Sequence, residues 1–280
     1  MLYLYEALQS YNPKKGALST FVDRVTRHWV GMAIRTRSAI KCDYRAILCS
    51  LDDFLTTGDE ESERIADSIS IEDLPVEQMP LYDAAKVEGY GTRQVANWAQ
   101  RWTAARTADV PAADAAMVFA WLAEKLPAPM PPALLHNDWK FDNLLVDMHD
   151  PSIICGVLDW EMATIGDPRF DLATALGYWV QPHDSTMLQA LALGVTNADG
   201  CLTRQEVVDR YAARRGVPVD APVYWYAFGL AKVAVIVLQL YARYVSGATH
   251  DARFAFLGGM AALMMQTARG AIEHDSLEPR

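Results

Sequence analysis

Apolar positions recur at helical spacing along most of this chain, and only one central stretch breaks into short apolar runs separated by turn residues. Near the start, Phe21, Val25, Trp29, Val30 and Met32 share a helical face, after a break at Tyr11-Asn-Pro-Lys-Lys-Gly16. From Gly91 onward, Gln94 to Trp98 and Trp102 continue an amphipathic helix. A further helix over about 112–126 stops at Pro127, Pro129, Pro131 and Pro132. The central stretch reads as three strands: Ala133-Leu-Leu135, Asn143-Leu-Leu-Val146 and Ile153 to Leu158, the last two joined by a Met148-His-Asp-Pro151 turn. Beyond Gly166-Asp167-Pro168 the pattern is helical to the end. Val223 to Leu240 is the longest apolar run. Lys232 and Gln239 interrupt it, and Pro222 and Ser246-Gly247 bracket it, so a buried core helix is expected rather than a membrane span. The fold class predicted is α+β and mostly helical, with a small sheet.

Charge divides the chain further. The net charge is −10 over 280 residues, which argues against a nucleic-acid binder. Residues 1–50 are nevertheless basic, with Lys14, Lys15, Arg24, Arg27, Arg35, Arg37, Lys41 and Arg45 against Glu6, Asp23 and Asp43. From Asp52-Asp53 through Asp59, Glu60, Glu61 and Glu63 the sign reverses, and Gly58, Pro75 and Pro80 punctuate this acidic stretch. Three segments are expected: helical 1–55, an acidic connector 56–80, and a main domain 81–280. Cys42, Cys49, Cys155 and Cys201 form no tight metal pattern and follow no signal peptide, as in a reduced cytoplasmic protein.

The candidate chemistry lies where the strands end. His136-Asn-Asp138-Trp-Lys140-Phe-Asp-Asn143 puts an acid, a lysine and an amide on one loop, and Asp159 and Glu161 follow the third strand. Phosphoryl transfer needs a carboxylate near the attacking hydroxyl and oxygen ligands for a divalent cation. Asp138 suits the first task, while Asn143 and Asp159 suit the second. Lys140 reads equally as a phosphate contact or a solvated charge, and Glu161 as a carboxylate behind the metal or a surface residue. His136 is a further candidate ligand, although orienting the loop through hydrogen bonds is the simpler role.

Asp138-x-Lys140-x-x-Asn143 resembles the catalytic loop of protein kinases and of aminoglycoside and choline kinases. Leu158-Asp-Trp-Glu161 is similar to the metal-binding segment of the aminoglycoside-phosphotransferase family. Gly166-Asp167-Pro168-x-x-Asp171-Leu172-Ala173 is similar to the next stretch of that family, whose second Asp braces the catalytic loop. Tyr90-Gly-Thr-Arg-Gln-Val95 and Tyr224-Trp-Tyr-Ala-Phe228 fit the same family, so about 200 residues resemble its C-terminal lobe. Asn137 departs from the pattern, which has Gly there; its side chain would crowd the turn or add a ligand.

That family carries a nucleotide lobe ahead of this region, with a strand lysine and a phosphate-covering loop. The sequence shows no G-x-G-x-x-G, no Val-Ala-Ile-Lys pattern and no Walker sequence. Ala7-Leu-x-x-Tyr11 through Phe21-Val-x-Arg24-Val instead resembles a helix-turn-helix stretch of bacterial RNA polymerase sigma factors, and an ordinary pair of basic helices fits equally. Residues 1–50 are expected to pack as helices in place of the missing lobe, which leaves ATP use in doubt and predicts weak ATP binding. The leading expectation is therefore a metal-dependent hydrolase of phosphoester, ester or peptide bonds, with Asp138 and Lys140 catalytic and Asn143, Asp159, Glu161 and His136 around Mg²⁺ or Zn²⁺. The alternatives are an ATP- and Mg²⁺-dependent kinase of small hydroxyl compounds and a non-catalytic interaction protein. A small-molecule or peptide substrate is expected and no membrane, with a homodimer left open.

Overall fold

Helix α1, Tyr90–Ala105, forms where Val95, Trp98 and Trp102 return to one face every three or four residues. In the computed structural model, which describes residues 87–146, 154–189, 196–198 and 200–278, these three side chains are buried. Helix α2, Ala113–Glu124, buries Ala115, Val118, Phe119 and Leu122 at the same spacing. The proline run after it cannot continue a helix, and the chain enters strand β1, Ala133–Leu135.

Among the described residues four short strands form rather than the three expected. Strands β2, Leu144–Val146, and β3, Ile154–Val157, pair antiparallel with Leu144 opposite Val157. Strand β4, Thr164–Gly166, pairs with β1, setting Ala133 opposite Gly166 and Leu135 opposite Thr164. The single small sheet is thus two separate two-stranded ribbons, the inner pair nested in sequence between the strands of the outer pair. Three residues are too few to show a period-two pattern, so β4 exists because β1 offers its edge.

The remaining described elements are helical: α3 (Arg169–Tyr178), α4 (Thr186–Gln189), α5 (Arg204–Arg215), α6 (Pro222–Val245) and α7 (Leu257–His274). Thr203 and Glu206 form a capping box that starts α5, and Gly216 in the left-handed region ends it. Helix α6 is the centre of the core, packed by α3 and α7 along its length. It is long and apolar enough to cross a membrane, with mean hydropathy 1.6 over its best window, but 78% of that window is buried inside the protein. The expected core helix is therefore what forms. Helices α3 and α6 cross in backbone contact: a Cβ added to Gly229 would stand 1.9 Å from the Ala173 carbonyl oxygen. Phe170 of α3 fills the adjoining space edge-on to Trp225, Phe228 and Tyr90.

Two buried arginines lock the loops around this core. Arg169 grips Asp167 through two nitrogens, at 3.0 and 2.6 Å, donates to the Ala128 carbonyl, and lies over Trp225. Arg204 pairs with Asp184 and donates to the carbonyls of Trp179 and Leu277. The sigma-like segment 1–55, the connector 56–80 and the replacement of a nucleotide lobe by helices lie outside the described residues.

Candidate functional site

The loop from His136 to Asn143 joins the two ribbons, because β1 precedes it and β2 comes after it. His136 is buried, and its Nδ1 accepts the Asp138 N–H at 3.2 Å. Nε2 must then carry the proton, which it donates to the Leu158 carbonyl at 2.6 Å. Leu158 itself donates to the Asn143 carbonyl at 2.7 Å, extending the β2–β3 ladder by one rung. One backbone position thus ties both ends of the loop to the residue immediately before Asp159. With both ring nitrogens engaged, His136 orients the loop and is withdrawn from the expected ligand set.

Asn137 adopts φ 65°, the left-handed region. That is why glycine suits this position in the family pattern, and why asparagine is the side chain that best substitutes for it. The side chain does not crowd the turn, because both ends of its amide are taken up in hydrogen bonds. Its amide donates to the Met162 carbonyl at 3.0 Å, and its oxygen accepts from the Tyr90 hydroxyl at 3.2 Å. Asp171, from the first turn of α3, receives the backbone N–H groups of His136 and Asn137, each at 2.7 Å. Burial pushes the Asp171 carboxyl above its ordinary range, and these two bonds oppose the shift. Lys232 of α6 donates to the Asn137 carbonyl at 2.5 Å and to Thr174 at 2.9 Å. Three elements therefore hold the turn that precedes Asp138.

Lys140 Nζ lies 2.5 Å from Asp138 Oδ2. The Asn143 amide nitrogen donates to the Asp138 carbonyl at 2.8 Å and reaches Oδ2 at 3.2 Å. Turning that amide over would aim its oxygen at two acceptors, so the assignment is chemically required. Its oxygen is left pointing away from Asp138, as a metal ligand would need. Tyr178 closes the other side; burial first, then the Asp138 charge, raises its phenol above the ordinary value. Asp159 is exposed, at φ 71°, and opens the turn Trp160–Met162. Glu161 lies on that turn, and its side chain is outside the described residues.

Asp138, Lys140 and Asn143 thus come together, and Asp159 comes directly after the rung that Asn143 makes with Leu158. Among the described residues no three of His, Cys, Asp and Glu gather as a metal cluster. An amide oxygen plus one carboxylate is still a fitting donor set for Mg²⁺, which keeps waters and takes its other ligands from phosphates. It is a poor set for Zn²⁺ once the imidazole is removed. Sequence reasoning misses Lys232 and Tyr178 as parts of this site. A lone lysine inside an apolar helix is the available signal for the first, whereas nothing in the pattern marks Tyr178.

Residues 46–203 match the model of the phosphotransferase enzyme family, a match that begins ahead of residue 81, where the recognisable motifs start. Acyl-CoA dehydrogenase family member 11 of Gallus gallus is 34% identical over 166 residues, 57% of this chain and 21% of that protein. Acyl-CoA dehydrogenase family member 10 of Mus musculus is 28% identical over 200 residues, 71% of this chain and 18% of that protein. The chain therefore spans only about a fifth of these relatives' length. A crystal structure from Ralstonia eutropha, provisionally named an aminoglycoside phosphotransferase, shares the fold with a TM-score of 0.59 and 23% identity, over 72% of this chain and 60% of that one. With the family model covering more than half of its length, the chain belongs to the phosphotransferase enzyme family.

Proposed function

We propose that this protein transfers the terminal phosphoryl group of a nucleoside triphosphate to a hydroxyl of a small molecule. The observation that carries the reading is the fixed Asp138 carboxylate, held by Lys140 and Asn143 on a loop that Asp171 braces. In the proposed reaction the acceptor oxygen forms a bond to phosphorus as the bond to the nucleotide's leaving oxygen breaks. Asp138 accepts the hydroxyl proton. Lys140 turns from Asp138 toward the phosphoryl oxygens, which its three donors allow. Asn143 and Asp159 would hold Mg²⁺, which when bound neutralises phosphate charge. The expected hydrolase has less in its favour, since its zinc form relied on an imidazole that is already engaged. The relatives are named for acyl-CoA, and phosphoryl transfer needs a hydroxyl, so acyl-CoA thioesters that carry a hydroxyl are the first acceptors to assay, ahead of sugars and choline.

The test is transfer of radiolabelled phosphate from MgATP to that acceptor panel, with Asp138→Asn beside the wild type. Transfer to one acceptor is expected, with kcat falling about a thousandfold in the variant and melting temperature unchanged. No transfer to any acceptor, or a variant as active as the wild type, would remove the reading.

A further inference from the structure

Behind the catalytic turn lies a cavity of about 240 Å³, walled on one side by α1 and on another by α6. Gln94, Asn97, Trp98 and Arg101 line it from α1, at the spacing that puts residues on one helical face. Tyr90 joins them from the start of α1, and three of these five, Gln94, Asn97 and Arg101, are amide or charged side chains, the last two also exposed to solvent. Lys232 lines it from α6, and among the described residues no carboxylate does. The nearest acids, Asp171 and Asp138, act on Lys232 from the loop side.

Several polar groups on this wall have donors to spare. Among the described residues the Arg101 guanidinium has no ion pair and no hydrogen bond, and it rests over the Trp98 ring at 4.7 Å. Lys232 approaches the same ring at 5.7 Å and spends only two of its three donors, on Asn137 and Thr174. Its charge is costly in this setting. Burial first, with Arg101 adding to it, holds the ammonium below its ordinary range, to about 8. In a chain of net charge −10, two cations converge on one cavity, and among the described residues nothing anionic lines it.

We infer that this cavity binds the anionic group, carboxylate or phosphate, of the acceptor substrate, through Arg101 and Lys232 with Gln94 and Asn97 as amide donors. An oxyanion placed there relieves the repulsion between the cations and takes up the spare donors. The cavity borders the reacting loop on two sides: Asn137 in its wall precedes Asp138, and Met162 in its wall ends the turn that Asp159 opens. The acceptor is thus an anionic hydroxyl compound. A polycation such as an aminoglycoside would meet charge of its own sign. The substrate role of this site rests on the phosphotransfer reading, whereas anion binding does not.

The test is a ligand-observed NMR titration of the full chain without nucleotide. 3-Hydroxybutyrate and glycerol 3-phosphate serve as anions, 1,3-butanediol as the neutral control and kanamycin as the cation. At least one anion should bind, and the tighter of the two identifies the oxyanion. Arg101→Glu, a change at an exposed helical position, should weaken that binding at least tenfold, and Arg101→Lys should restore most of it. The inference is overturned if neither anion binds, if Arg101→Glu leaves the Kd unchanged, or if kanamycin displaces the anion. Anion binding through Arg101 with no phosphate transferred to any acceptor would keep the site and remove the phosphotransfer reading. Transfer to a hydroxy acid at equal KM in wild type and Arg101→Glu would keep that reading and remove the site.

Discussion

Asn137 concentrates the local physics of the loop in one residue. Its backbone occupies a region that costs an ordinary side chain about 1–2 kcal/mol, and its amide bridges Tyr90 and Met162. Asn137→Ala keeps the backbone cost and loses both bonds, each worth about 1 kcal/mol, so a destabilisation of about 2 kcal/mol is expected. Asn137→Gly loses the bonds but removes the strain and should fall between alanine and wild type. Urea unfolding of the three proteins checks that order, and an alanine variant as stable as the wild type would rule it out. The departure from glycine was visible in the sequence. Its reason was not, since both partners lie more than twenty residues away and only the fold brings them to the turn.

Among the elements, the crossing of α3 and α6 carries the tightest constraint. Gly177 and Gly229 face each other with backbone in contact, so a methyl at 229 has no flexible neighbour to displace. Gly229→Ala should cost about 3 kcal/mol or more, seen as a lower melting temperature or as insoluble protein. Gly259 of α7 is the control, because a Cβ there meets nothing within 4 Å. Gly259→Ala should stabilise by about 0.5–1 kcal/mol, through helix propensity and a less flexible unfolded chain. Equal effects at the two sites would show that packing at the crossing is loose. Helices α1, α2 and α6 were legible because 12 to 24 residues of periodicity accumulate into a signal. Strand β4 and its pairing with β1 were not, because three residues carry none and their partner is thirty positions away.

At the scale of the whole molecule, buried titratable groups give stability a maximum in alkaline pH. Lys232 has a folded value of about 8, below its unfolded value of 10.5. The unfolded chain therefore binds more protons between these two values, and stability rises with pH across that window by about 3 kcal/mol. The phenols of Tyr90, Tyr178, Tyr224 and Tyr226 are shifted the other way, chiefly by burial. Their contribution is complete below the unfolded value of 10 and is lost as pH rises beyond it. Urea midpoints should therefore climb from pH 7.5 to about 9.5 and fall by pH 11. Lys232→Met should abolish the climb and keep the fall. A flat profile in the wild type would mean that water reaches these groups.

Periodicity along the chain determined the helices, and their breaks determined where short strands and loops could lie. Residue type and spacing in one segment determined the family, because a carboxylate, a lysine and an amide within six residues form a local pattern that survives without tertiary context. The tertiary structure decided what those residues do to one another. It engaged both nitrogens of His136, turned the Asn143 amide toward Asp138, and brought Asp171 and Lys232 to the turn from distant helices. It also opened a cationic cavity between α1 and α6, whose residues lie some 130 positions apart. Hydrogen bonds and charge act over a few ångströms in space, and separation along the chain says nothing about such distances until the core has packed.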